Sequence, residues 1–163
     1  SIQVETLISD ARGTAALDIL LDARPDVMNH NTETVPRLQR AVRPSAGYAR
    51  SLSVLARSKA RGLVTKSGLI VGMGETDDEV RATLLDLAAV GVDIVTIGQY
   101  LRPTTHHLPV SRWVEPAMFE KYKEWGESFG IGHVESSPLT RSSYHAKEAA
   151  EVAVPVTIGS ASR

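Results

Sequence analysis

Short runs of apolar residues alternate along the chain with longer segments in which apolar residues recur every three or four positions. The apolar runs predict strands at residues 2–9, 27–30, 67–73, 93–100 and 132–135. The segments between them predict helices at residues 14–23, 46–61, 77–90 and 118–129, with helical patterning also from Val35. This alternation is typical of a parallel sheet whose strands are joined by right-handed helical crossovers.

Local signals mark several helix ends. Thr76 is followed three residues later by Glu79, which is the capping-box pattern, and Pro116 occupies a first-turn position. Gly62 is a plausible C-terminal cap for the helix before it. Four or five strand–helix units are too few to close an eight-stranded barrel. The expected fold is therefore α/β, as an open or partial barrel or a fragment of one.

Composition narrows the class of protein. The 163 residues are 42% hydrophobic and 23% charged, which is typical of a soluble globular chain. The net charge of −1 offers no field for a polyanion, so we expect no nucleic-acid partner. The apolar runs are shorter than the ~20 residues of a membrane span, and no signal peptide is recognisable, so we expect a cytoplasmic location without a membrane partner. Cysteine is absent, which excludes disulfides, thiolate catalysis and an all-cysteine metal site in this chain.

Polar residues gather at three predicted strand ends, at residues 29–34, 72–75 and 98–102. Ligands of parallel βα folds bind at this edge of the sheet. Each cluster alone has an ordinary explanation as a helix cap or a tight turn, and the Gly-x-Gly at 72–74 lacks the third glycine of a dinucleotide fingerprint. The adjacent His106 and His107 point apart in extended chain, so separate structural roles are favoured over one shared metal ion.

Taken together, these strand ends indicate a nucleoside site. Residues 68–75 match the G-x-I-x-G-x-x-E pattern of the fifth strand of radical S-adenosylmethionine (SAM) enzymes, where glycines let an adenine approach the backbone and apolar residues offer it a flat wall. Residues 29–33 resemble the fourth-strand segment whose side chains hold the ribose in these enzymes. Asn31 and Glu33 lie two residues apart and share a face, so both can reach one diol. The predicted cofactor-binding residues are Asn31, Glu33, Ile70, Gly72 and Leu101.

The longer motifs resemble one family, lipoyl synthase, over about residues 2–147. The matching segments lie at residues 29–37 (Asn-His-Asn-x-Glu-Thr-Val-Pro-Arg), 42–44, 65–76, 98–101, 106–109 and 141–146 (Arg-Ser-Ser-Tyr-His-Ala). The resemblance implies the C-terminal half of a six-stranded, TIM-like radical SAM partial barrel, with about the third to sixth strands present. It divides the chain into a half-barrel at 1–135 and a polar tail at 136–163, whose end we expect to be disordered.

The resemblance also implies an activity. Members of the family insert two sulfur atoms into an octanoyl chain carried by a lipoyl carrier domain or H-protein. One [4Fe–4S] cluster reduces SAM to a 5′-deoxyadenosyl radical, and a second cluster is consumed as the sulfur donor. The fourth ligand of the second cluster is a serine of the Arg-Ser-Ser-Tyr motif, for which Ser143 is favoured and Ser142 is a near-equal candidate. Arg141 could offset negative charge on the cluster or could serve only at the surface.

Departures from the family pattern leave two alternatives. The cysteines that hold both clusters lie outside this chain, and residues 136–138 read Ser-Ser-Pro where the family often has Cys-Gly-Pro. A serine alone cannot hold a cluster, so we expect the isolated chain to be inactive. One alternative is a non-catalytic half-barrel that keeps only SAM or carrier contacts. The other is an unrelated βα-barrel aldolase with Lys66 as Schiff base, disfavoured because Lys66 lies at the amino end of its strand.

Overall fold

Five parallel strands form one sheet in the computed structural model of the chain, which describes residues 2–12 and 14–143. The strands are β1 (Glu5–Leu7), β2 (Val27–Asn29), β3 (Val64–Val71), β4 (Ile94–Gln99) and β5 (His133–Ser136). They lie side by side in chain order, and every neighbouring pair is parallel. Sequential order of this kind is that of a barrel segment, and within the described residues the sheet does not close.

Helices connect the strands. They are α1 (Thr14–Asp22), α2 (Gln39–Val42), α3 (Tyr48–Ala60), α4 (Asp77–Ala89) and α5 (Pro116–Ser128), with a 3₁₀ turn at Pro36–Leu38. The capping box predicted at the start of α4 is confirmed, because the Glu79 amide donates to Thr76 Oγ1 and the Thr76 amide donates to Glu79 Oε2. Among the described residues, no helix has the length and apolar character needed to cross a membrane.

The two faces of the sheet have different surroundings. On β3, Leu69 and Val71 belong to the main apolar cluster, which includes Leu84 of α4 and Phe119 of α5. Successive strand residues point to opposite faces, so Gly68 and Ile70 lie on the other side. On β4, Val95 and Ile97 likewise join the main cluster, whereas Thr96 and Gly98 face the opposite side. The helices therefore cover one face and leave the other for a cavity.

The strand boundaries differ from the prediction in length more than in place. β1 covers three residues rather than 2–9, because β2, its partner among the described residues, is itself three residues long. β3 begins at Val64, where it pairs with Val27 of β2, and ends before Gly72, whose positive φ of 104° turns the chain. The open parallel α/β sheet is as predicted, and β5 adds one strand to the four that the family resemblance counts.

The predicted tail starts inside the sheet. β5 continues through Ser136, the first residue assigned to the tail, and residues 137–140 then form a turn against β4. Residues 144–163, which include Tyr144 of the Arg-Ser-Ser-Tyr motif and the end expected to be disordered, lie outside the described residues. The division of the chain at residue 135 remains a proposal.

Candidate functional site

An open cavity of about 360 Å³ lies at the carboxyl ends of β2, β3 and β4. This volume is within the range of small-molecule sites, and this edge of a parallel sheet is where such folds bind ligands. The lining residues come from the three strand ends and from the turn after β5: Asn31, Glu33, Gly68, Leu69, Ile70, Thr96, Gly98, Gln99, Tyr100, Leu101, Pro103, Thr140, Arg141 and Ser142.

The cavity brings together most of the residues predicted from the sequence. Four of the predicted SAM contacts line it: Asn31, Glu33, Ile70 and Leu101. Ser142 lines it as well, whereas Ser143 is exposed and is not among the lining residues. Gly72 also lies outside the lining. Their predicted roles in binding remain predictions, but five of the seven residues share one cavity.

Gly72 has a structural reason to be glycine. A Cβ atom built on Gly72 would overlap Gln99 Nε2 and would lie 2.7 Å from the carbonyl oxygen of Arg112. The Ser111 amide donates to the Gly72 carbonyl at 2.8 Å, so the loop after β4 crosses directly over this position. The close crossing and the positive φ of 104° together require glycine here, independently of any ligand.

The acid that ends the G-x-I-x-G-x-x-E pattern closes the turn after β3. Glu75 is 4% exposed, and its carboxylate accepts the amide of Gly72 at 2.6 Å and the amide of Met73 at 3.0 Å. Arg112 Nη2 lies 3.6 Å from the same carboxylate. Glu75 therefore satisfies buried backbone donors of the turn and positions the strand end, without lining the cavity.

The segment after β2 runs beside β3 and carries both predicted ribose contacts. The Glu33 amide donates to the Gly68 carbonyl at 2.9 Å, and the Ile70 amide donates to the Glu33 carbonyl at 2.8 Å. Glu33 has φ 67°, a left-handed conformation that costs a non-glycine residue about 1–2 kcal/mol. Strain of this kind persists where surrounding bonds over-determine the backbone, which is common at binding sites.

Asn31 lies against β3 because Gly68 has no side chain. A Cβ at position 68 would lie 2.7 Å from Asn31 Oδ1. This Oδ1 atom is buried and has no hydrogen-bond partner among the described residues. An unpaired buried acceptor costs about 1–3 kcal/mol, and a hydroxyl donor of a ligand at the cavity wall would remove that cost. Asn31 thus fits the ribose of a nucleoside.

Two opposing effects set the charge state of Glu33. Burial raises the pKa of its carboxyl group, while the Asn31 side chain and the positive charge of Arg43 act in the opposite direction. The ionised carboxylate offers acceptor sites on both oxygens and can take both hydroxyls of a diol. Affinity for such a ligand should therefore fall when the pH drops through the pKa of Glu33.

His30, between the two asparagines of the motif, belongs to the protein interior. It is fully buried, with Nδ1 3.1 Å from the Ile8 carbonyl oxygen and Nε2 3.0 Å from Ser51 Oγ. Burial is the main reason that its pKa is lowered, which favours the neutral ring. His30 joins the end of β2 to the loop after β1 and to α3, and it does not reach the cavity.

The turn after β5 packs against β4, where a second glycine, Gly98, leaves room for it. The Ser137 amide donates to the Ile97 carbonyl at 3.2 Å, and the Thr140 amide closes the turn on the Ser137 carbonyl. A Cβ on Gly98 would overlap the Thr140 carbonyl oxygen and would lie 3.1 Å from Arg141 Nη1. The bare backbone at Gly98 therefore lets the start of the Arg-Ser-Ser-Tyr motif reach the cavity.

Lys66 does not fit a Schiff-base role. Its ammonium lies 3.0 Å from both carboxylate oxygens of Glu5, and the residue is 1% exposed. The Asn29 amide donates to the same carboxylate at 2.7 Å. A nucleophilic lysine must be neutral and accessible, whereas this one is ion-paired and enclosed. The aldolase alternative is therefore set aside.

The residues of this chain do not by themselves fit an iron–sulfur cluster. Such clusters are held by thiolates, and the sequence has no cysteine. In the part of the chain that the structure describes, no three histidine or acidic side chains are grouped to hold a metal ion. His106 and His107 lie in the exposed loop after β4, where His107 Nδ1 is 2.9 Å from Thr104 Oγ1.

Sequence reasoning missed several lining or supporting residues, among them Thr96, Thr140 and Arg43. Strict alternation along β4 would have found Thr96, because it lies two positions before Gly98 and shares its face. Thr140 enters through a turn that carries no clear signal in the sequence. Arg43 is part of the matching Val-Arg-Pro segment, yet the sequence indicates no role for it, because the side chain of Asp10 that it contacts is distant along the chain.

The comparisons with known proteins find relatives that are named lipoyl synthase. The chain is 54% identical to the lipoyl synthase of Rubrobacter xylanophilus over 151 residues, which is 91% of this chain and 47% of that protein. It is 56% identical to the lipoyl synthase of Chlorobium limicola over 149 residues, which is 90% of this chain and 51% of that protein. The chain thus spans about half the length of the curated relatives it matches. No protein-family model matches it.

A solved structure supports the fold. The crystal structure of SuiB from Streptococcus suis matches 86% of this chain and 34% of its own chain, with a TM-score of 0.64 and 9% sequence identity. A likeness at this identity shows the fold alone. It confirms the α/β partial barrel predicted from the sequence.

Replacing Gly98 with alanine should displace the turn after β5, because the added methyl group overlaps the Thr140 carbonyl. We expect amide hydrogen exchange at Ser137 and Thr140 to quicken by about tenfold or more, equivalent to a loss of about 1.4 kcal/mol of local stability. Gly47→Ala is the matched control, since its Cβ would lie an ordinary 3.9 Å from the nearest neighbour. Unchanged exchange in Gly98→Ala would contradict the proposed seating of the tail.

Proposed function

Because the chain belongs to the lipoyl synthase family, we propose that it forms the C-terminal half of an enzyme that inserts two sulfur atoms into an octanoyl chain. The octanoyl chain would be attached to a lipoyl carrier domain or H-protein. The complete enzyme here means this chain together with the N-terminal half that its relatives carry. A cytoplasmic location stays a prediction.

The observation that supports this proposal is the convergence of separate motifs on one cavity. Asn31 and Glu33 follow β2, Ile70 lies on β3, Leu101 follows β4, and Ser142 follows β5. These residues come from four separate stretches of the chain, yet all line the same space. A fold that binds no ligand has no physical need to gather a carboxylate, an amide and a hydroxyl there.

SAM is the ligand that we propose for the cavity. Asn31 and Glu33 would hold the ribose, Ile70 would flank the adenine, and Gly68 would let the nucleoside lie close to β3. Bound SAM, once reduced by an iron–sulfur cluster of the N-terminal half, would supply the radical that abstracts hydrogen from an unactivated carbon. The part played by this chain is to bind and orient the nucleoside and to keep the ionised Glu33 carboxylate available as an acceptor.

The turn after β5 would supply a single hydroxyl ligand to a cluster held mainly by the N-terminal half. Ser142 lines the cavity beside Arg141, whereas Ser143 is exposed on the next position. Either hydroxyl is one donor only, so the chain completes a coordination sphere and does not create one. Arg141 would place a positive charge near that donor.

A non-catalytic half-barrel that keeps only SAM or carrier contacts is the second candidate. The two candidates share the SAM cavity, but only the first carries out a reaction after SAM has bound. If the gene encodes the cluster-binding half upstream, the catalytic proposal stands; if it encodes only this chain, sulfur insertion is excluded and binding alone is left.

Replacing Asn31 or Glu33 with alanine in the complete enzyme should weaken SAM binding by about tenfold each, because each change removes a hydrogen bond to the ribose. Equilibrium dialysis with SAM measures the dissociation constants. Glu120→Ala, at an exposed position of α5, is the control and should bind as the parent enzyme does. If both cavity variants keep the parent affinity, the ribose assignment is wrong.

Replacing Ser143 or Ser142 with alanine in the complete enzyme should separate two reactions. We expect SAM cleavage to continue near the parental rate in both variants, because neither serine is proposed to hold the nucleoside. Sulfur insertion should collapse for the serine that is the cluster ligand. Lipoyl product from an octanoylated H-protein, measured by mass spectrometry, reports the second reaction. Normal product from both variants would remove the ligand role of this turn.

A further inference from the structure

The segment that carries Asn31 and Glu33 has every backbone carbonyl bound by a donor from another part of the fold. The Glu33 carbonyl accepts the Ile70 amide at 2.8 Å. The carbonyls of Thr32 and Thr34 both accept Gln39 Nε2, each at 2.8 Å. The Asn31 carbonyl accepts Arg43 Nη1 at 2.9 Å. The backbone of residues 31–34 is therefore held before any ligand arrives.

Arg43 contributes more to this arrangement than one hydrogen bond. Its guanidinium also approaches the Thr32 carbonyl at 3.4 Å through Nη1, while Nη2 donates to Asp10 Oδ1 at 3.2 Å. Asp10 is 8% exposed and lies in the loop after β1. Arg43 therefore bridges two neighbouring strand ends, and its planar fork is suited to binding a carbonyl and a carboxylate at once.

We propose that Arg43 is a positioning residue of the nucleoside cavity, which fixes the backbone of residues 31–34 and places a positive charge beside the Glu33 carboxylate. This inference rests on the nucleoside site proposed above and assigns a role to a residue outside the cavity lining. Arg43 is not among the residues that line the cavity, so it would act through Asn31 and Glu33.

The electrostatic part has a defined direction. The charged side chains around Glu33 in the described part of the chain are Arg43, directly after α2, and Arg141, which lines the same cavity from the tail turn. On β3 the charged side chain is Lys66, which is already paired with Glu5. Since the charge of Arg43 lowers the pKa of Glu33, its removal should raise that pKa further. The acid-side loss of nucleoside affinity should then begin at a higher pH.

The test uses S-adenosylhomocysteine as a non-reacting probe, titrated calorimetrically into the complete enzyme from about pH 4.5, near the ordinary pKa of a glutamate, to about pH 8. The variants are Arg43→Met, Arg43→Lys and each of these combined with Glu33→Gln. Arg40→Met is the matched control, because Arg40 is an exposed residue of α2. Circular dichroism checks that each variant folds.

We expect Arg43→Met to bind about tenfold more weakly at pH 8, as one ordering hydrogen bond is lost, with its acid-side midpoint shifted upward. Arg43→Lys should also bind more weakly but keep the parental midpoint, because it retains the charge and loses the fork. In the Glu33→Gln background the midpoint shift should vanish. Arg40→Met should match the parent.

Parental affinity in Arg43→Met, or a uniform loss with an unmoved midpoint, would overturn the proposal. If Arg43→Met does not fold, Arg43→Lys decides, since parental affinity in that variant contradicts the bridging role. A different result would show that the nucleoside site itself is wrongly assigned: Glu33→Gln alone would then bind the probe as the parent does at every pH.

Discussion

The backbone of residues 31–34 lies beside β3 in a conformation that isolated chain would not hold, since Glu33 is in the left-handed region. Hydrogen bonds from Ile70, Gln39 and Arg43 fix that backbone, and Gly68 allows it to approach the strand. The same glycine gives Asn31 its place on the cavity wall. Binding groups whose order is supplied by the fold do not have to be ordered by the ligand, which preserves affinity. The cavity depends on this constraint.

Two glycines on the cavity side of the sheet each leave room for a different segment of the chain. Gly68 on β3 admits the segment after β2, and Gly98 on β4 admits the turn after β5. The helix-covered face is filled by large apolar side chains such as Leu84 and Phe119, so the core and the cavity occupy opposite sides of the same strands. Because successive side chains of a strand point to opposite faces, the same short strand contributes to both the core and the cavity.

The sequence predicted the element order, the parallel sheet and most of the cavity, because strand ends of a parallel sheet meet at one edge whatever the connecting helices contain. It singled out five residues that the structure brings to one cavity: Asn31, Glu33, Ile70, Leu101 and Ser142. It assigned Gly72 to the ligand, although the loop crossing at Arg112 already requires that glycine. Arg43 and Thr140 could not be identified from the sequence, because their roles come from contacts with residues that are distant along the chain.

The measurement that tests the prepared site most directly is the structure of the complete enzyme with S-adenosylhomocysteine bound. We predict that the ribose hydroxyls lie within hydrogen-bond distance of Asn31 and Glu33, with the backbone of residues 31–34 and the Arg43–Asn31 bond unchanged from the conformation described here. A nucleoside bound elsewhere, or one bound here only after residues 31–34 have rearranged, would contradict the claim that the fold prepares this site.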